Sequence, residues 1–149
     1  MSLPYENATS GKGALDEMRK ILVGFGASSF GSFEDFSAGK VVVQFEYRAR
    51  RVSIEASFKG YAVAWLKAHP WTYRMKITGK QHEARAMKIA QVAVWSVLRD
   101  WIKGQVTAVE CGILSFSGAF LGQILLGDGR SVLQAVEQTK MLAIEDQSP

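Results

Sequence analysis

The chain has 149 residues, 48% of them hydrophobic and 21% charged, with a formal net charge of +4. That is the size and composition of one globular domain able to bury its own core, which excludes a disordered, collagen-like or disulfide-stapled chain. A single cysteine, Cys111, rules out an internal disulfide, and neither His69 nor His82 has a close metal-ligand partner in the sequence, so no metal and no cofactor is expected.

The charge is unevenly spread. Residues 1–39 sum to −2, residues 40–104 to +9 and residues 105–149 to −3. A basic middle between acidic flanks points to a polyanionic partner. The chain does not open on a basic region followed by an apolar run, and its longest charge-free run, residues 111–127, is short and glycine-interrupted. No membrane span is therefore expected, and the expected location is the cytoplasm. Flexibility is expected at residues 1–12 and 144–149.

In chain order, residues 14–25 carry Leu15, Met18, Leu22 and Phe25 on one stripe and read as a first helix, with Asp16 and Glu17 in its first turn and Gly24 and Gly26 at its end. Residues 27–36, rich in Phe and Ser, read as a strand. Two runs of strict alternation follow. Val41, Val43, Phe45 and Tyr47 form one apolar face, and Val52, Ile54, Ala56 and Phe58 the next. They predict a hairpin turning at Ala49-Arg50, with Tyr47 opposite Val52 and Phe45 opposite Ile54. Val43, Phe45, Ile54 and Ala56 are expected to face the core.

Residues 59–68 predict a short helix with Tyr61, Ala64, Trp65 and Ala68 on one stripe, stopped before Pro70. Residues 69–79 read as a loop or an irregular strand. The dominant element is residues 80–111, which contain no proline and are apolar nearly all round in the middle. They predict a long central helix that the other elements pack against, with Trp95 and Leu98 buried and Cys111 a small core residue at its end. A buried helix is expected after Gly112, capped by Ser115. An amphipathic helix over 131–142 follows, with Val132, Leu133, Val136 and Leu142 on its apolar side. The expected fold is one α+β domain spanning residues 1–149: an α-β-β-β-α core with a three-stranded antiparallel meander packed on the long helix, then two further helices.

The stretches VQFEYRARRVSIEASFKGYAVAWLKAHPW and LRDWIKGQVTAVECGILSF resemble small uncharacterised proteins of temperate phages and prophages. The resemblance covers most of the chain and implies a phage genome inside a bacterial cell. It implies no activity and assigns no functional residue.

Three constellations could carry function. The first is the basic and aromatic loop His69, Trp71, Tyr73, Arg74, Lys76, Lys80 and His82, continued along the central helix by Arg85, Lys88, Ser96, Arg99 and Lys103, which share an arc of about 80°. Cations meet phosphates and flat rings stack on unpaired bases. Alternatively, Trp71 and Tyr73 belong to the core and the cations form a solvated face. The second is the sheet's outer face, in an arrangement similar to the double-stranded RNA-binding domain, although Lys59-Gly60 lacks that domain's lysine-rich helix start. The third is Glu46 and Glu55 on neighbouring strands, an order similar to the restriction-endonuclease core; Ser57 stands where that core needs lysine. The Gly118-to-Gly122 spacing is a candidate small-residue contact for core packing or for a homo-oligomer.

The leading expectation is a non-enzymatic nucleic-acid-binding accessory protein, with no catalytic residue. Its binding set is His69, Trp71, Tyr73, Arg74, Lys76, Lys80, Arg85, Lys88, Arg99 and Lys103. The alternative is a module that binds an acidic surface of a host or phage protein, and a metal-dependent nuclease is third. The first two differ in the rings, since bases need Trp71 and Tyr73 exposed.

Overall fold

The computed structural model describes residues 2–139. Ser10 opens α1 (Gly11–Phe25), its hydroxyl accepting from the Gly13 N–H at 2.9 Å. This start lies upstream of the expected one and moves Asp16 and Glu17 out of the first turn. Ala14, Met18 and Leu22 form the buried stripe. Gly26, at φ 111°, donates its N–H to the Leu22 and Val23 carbonyls and closes the helix.

β1 (Ser29–Asp35), β2 (Lys40–Tyr47) and β3 (Arg50–Ser57) form the antiparallel meander in the order β1-β2-β3. Val41, Val43, Phe45, Val52 and Ile54 are buried and Ala56 is half-buried, on the face the alternation predicts. The register differs from the expected one. The turn is Arg48-Ala49, both left-handed at φ 49° and 64°, so Phe45 pairs with Val52 and Val43 with Ile54. Side chains alternate with period two, so this two-residue slip leaves every one on its expected face. Tight turns of this kind are usually signalled by Asn-Gly, and Arg-Ala carries no such signal.

Ser57 caps α2 (Phe58–Ala68), which makes Phe58 the first helical residue and not the last of the strand. The buried stripe is Phe58, Ala62 and Trp65, while Ala64 is exposed. α3 (Gly79–Glu110) runs 32 residues, about 48 Å. Thr78 and Gln81 start it with a reciprocal capping box. α1 and α2 both pack along it, and it packs on the sheet. Ala86, Ala90 and Ala93 are fully buried, and their small side chains suit close helix approach. Trp95 and Leu98 are buried as the sequence predicts. Trp95 Nε1 donates to Glu34 Oε1 on β1 at 3.0 Å.

The segment after α3 departs from expectation. Cys111 is exposed at the helix end, and Ile113 and Leu114 are exposed. Ser115 does cap a helix, but α4 (Phe116–Phe120) is a single short one. Its aromatic rings fill the end of the core: Phe120 meets Phe45 edge-on at 5.5 Å and Trp101 at 5.8 Å. The chain then makes a 3-10 turn at Leu121–Gln123 and extends beside β3, where the Leu125 N–H donates to the Arg51 carbonyl at 2.8 Å. Gly118 and Gly122 thus share no continuous helix. α5 (Val132–Thr139) follows, with none of its residues buried. Leu142 and residues 144–149 lie outside the described residues. No helix among the described residues is long and apolar enough to cross a membrane.

Candidate nucleic-acid interface

The segment between α2 and α3 is irregular yet tethered at several points. The His69 N–H donates to the Trp65 carbonyl at 2.8 Å, ending α2. Trp71 Nε1 donates to the Ile77 carbonyl at 2.9 Å, and the Met75 N–H to the Thr72 carbonyl at 3.0 Å. These bonds fold residues 70–78 back on themselves and leave their polar side chains outside. Tyr73 is 80% exposed and Trp71 44%. The Arg74 guanidinium stands 5.8 Å from the centre of the Tyr73 ring.

Arg74, Lys76, Lys80, Arg85 and Lys88 are all exposed. None of the five forms an ion pair among the described residues. Glu83 is the only acidic residue between His69 and Arg99. It sits two positions from Arg85, on the other side of the helix. The N-terminal end of α3 adds its dipole to this positive region.

The other expected members are not free. His82 is 3% exposed, and its Nε2 donates to the His69 carbonyl at 2.5 Å. A carbonyl only accepts, so the proton is on Nε2, and the buried Nδ1 has no partner among the described residues. His69 is half-buried, 3.1 Å from Glu6, and its ring lies tilted against Trp65 with centroids 4.6 Å apart. Both histidines anchor the base of the loop, and its tip, Trp71 to Lys76, stays exposed.

Arg99 is also occupied. It lies 2.9 Å from Asp100 and 3.8 Å from Glu17, and Tyr5 Oη donates to Asp100 at 2.6 Å. The phenol and the guanidinium hold the Asp100 carboxyl below the usual carboxylate range, and Asp100 in turn pushes the Tyr5 phenol up. The residues before α1 run beside this part of α3 and bound, with Arg99 and Ser96, an open cavity of about 450 Å³. Ser96 is buried. The expected row from Arg85 to Lys103 is therefore interrupted. Lys103 is exposed, but it stands about 27 Å from Arg85 along the helix.

Sequence reasoning missed Tyr5, Glu6 and Glu17. Only the Arg99-Asp100 adjacency hinted that this cation is neutralised. Glu46 and Glu55 do share the sheet's outer face, but Glu55 pairs with Val42, four positions along β2 from Glu46 and about 13 Å away. Lys40 lies 3.5 Å from Glu55. No group of three His, Cys, Asp or Glu side chains placed to hold a metal occurs among the described residues. Comparison with protein-family models, curated proteins and solved structures finds no match.

Proposed function

We propose that this chain is a small, non-enzymatic accessory protein of phage type that binds nucleic acid, single strands in preference, through loop residues 70–78 and the first turns of α3. One observation carries the reading: Trp71 and Tyr73 are outward-facing beside five cations without ion-pair partners among the described residues. Cations alone would suit any acidic surface. Exposed rings among them suit unpaired bases, which offer a flat face to stack on.

The test is fluorescence anisotropy with a labelled single-stranded oligonucleotide at several salt concentrations. If all five cations touch phosphates, log affinity falls with log salt at a slope near −3.5, about 0.7 per contact. Trp71→Ala weakens binding by about 1–3 kcal/mol and leaves the slope alone, because stacking releases no counterions. Absence of binding at low salt refutes the proposal. Binding indifferent to both Trp71→Ala and Tyr73→Ala favours the acidic-protein reading.

A further inference from the structure

The two edges of the sheet are treated differently. The outer edge of β3 is covered by the chain itself, through Leu125 on Arg51 and the Val52–Ile124 bridge. The outer edge of β1 has no strand beside it among the described residues. Five of the seven residues of β1 are exposed, including Phe33 at 60%. An open edge of this length is a template for another strand, and proteins usually blunt one with charged side chains, lysine above all, with proline or with a covering loop; the charges of β1, Glu34 and Asp35, lie together at its C-terminal end. Ser29–Asp35 contains neither lysine nor proline.

The geometry points to a second copy of this chain as the occupant, pairing β1 to β1 antiparallel about Ser32 to make a continuous six-stranded sheet. Three features of the strand are self-complementary in that register. Phe33 would lie directly across from Gly31 of the other copy on the outer face, where none of the described residues stands within 4 Å of the position a Gly31 side chain would take. An aromatic ring over a cross-strand glycine covers backbone that is otherwise wet. On the inner face Phe30 would lie across from Glu34 of the other copy. The Arg19 guanidinium already sits 5.5 Å from the Phe30 ring and has no ion pair among the described residues. Each copy thus offers a cation to the other's carboxylate. Glu34 and Asp35 cluster at one end of the strand, so antiparallel pairing holds the two acidic ends apart. A parallel pairing would set them side by side.

Sedimentation velocity on the full chain is expected to show mass rising from one copy to two with concentration. Phe33→Lys is expected to abolish the shift, leaving the circular dichroism spectrum unchanged because the ring is outside the core. Register is tested by Ser32→Cys in a Cys111→Ser background. Residues directly opposite in an antiparallel pair lie about 4.5–5.5 Å apart between Cα atoms, within disulfide reach, so mild oxidation gives a covalent dimer. Ser29→Cys in the same background is expected to give none, because its own copies stand about 20 Å apart in this register. A monomer across the whole concentration range overturns the proposal. So does a dimer that survives Phe33→Lys, or one that cross-links through Ser29→Cys and not through Ser32→Cys.

Discussion

Arg99 and Lys76 belong to the same basic segment but differ in what they can offer an anion. Arg99 is held by Asp100 and Glu17, whereas Lys76 is exposed and has no ion pair among the described residues. An anion reaching Arg99 would have to compete with carboxylates already in place. Lys76→Ala is therefore expected to reduce the salt slope of oligonucleotide binding by about 0.7, and Arg99→Ala to leave it unchanged. Equal effects from the two would mean that the Asp100 cluster opens on binding. The cations were legible in the sequence as residue types. Their partners were not, because Glu17 reaches Arg99, and Tyr5 reaches Asp100 beside it, only through the packing of distant segments. The rings were ambiguous for a related reason: Trp71 and Tyr73 lie in a segment without periodicity, so neither a buried nor an exposed face could be assigned.

At the scale of elements, strict alternation and long apolar runs were legible, and the short irregular pieces were not. The β2–β3 hairpin was readable because each strand repeats its period of two several times over, and α3 because a long run without proline is apolar nearly all round. The run after Gly112 failed because its apolar residues were read as one buried helix, while Gly112 at φ 72° and the turn after Phe120 break it into pieces that cover β3 and the end of the core. The Arg48-Ala49 turn has an energetic consequence. A side chain in the left-handed region costs roughly 1 kcal/mol relative to glycine. Ala49→Gly is expected to stabilise the protein by about 0.5–1 kcal/mol, seen as a Tm a few degrees higher. In α3, Trp95→Ala and Leu98→Ala are each expected to cost roughly 2–5 kcal/mol in denaturant unfolding, because both leave a cavity where α3 meets its neighbours. Losses below about 1 kcal/mol for both would place this helix outside the core.

Across the whole molecule, the segment before α1 acts as a strap. Tyr61 Oη donates to the Pro4 carbonyl at 2.6 Å, Glu6 meets His69, and Tyr5 meets Asp100, so α2, the loop base and α3 are each tied to residues 4–6. Two of these ties depend on carboxylates whose pKa values lie below the ordinary range. Glu6 is lowered mainly by the Leu3 N–H and further by His69; Asp100 is lowered mainly by the Tyr5 phenol and further by Arg99. A depressed folded-state pKa means that the unfolded chain takes up protons first as pH falls. The stabilisation is therefore fully present above the ordinary carboxylate values, about 3.9 for Asp and 4.3 for Glu, and is lost as pH falls through the lower folded values. Below that window the strap is expected to loosen before the core does, since none of residues 2–10 is buried. Tyr5→Phe removes the largest cause acting on Asp100, so its folded pKa moves back toward the ordinary value. The variant is expected to be less stable near neutral pH and to converge on the parent in strong acid, where Asp100 is protonated in both. Thermal melts of the two proteins from neutral pH to pH about 2 check this. A Tm difference that persisted unchanged to the acid end would mean that Tyr5 contributes through packing and not through the charge of Asp100.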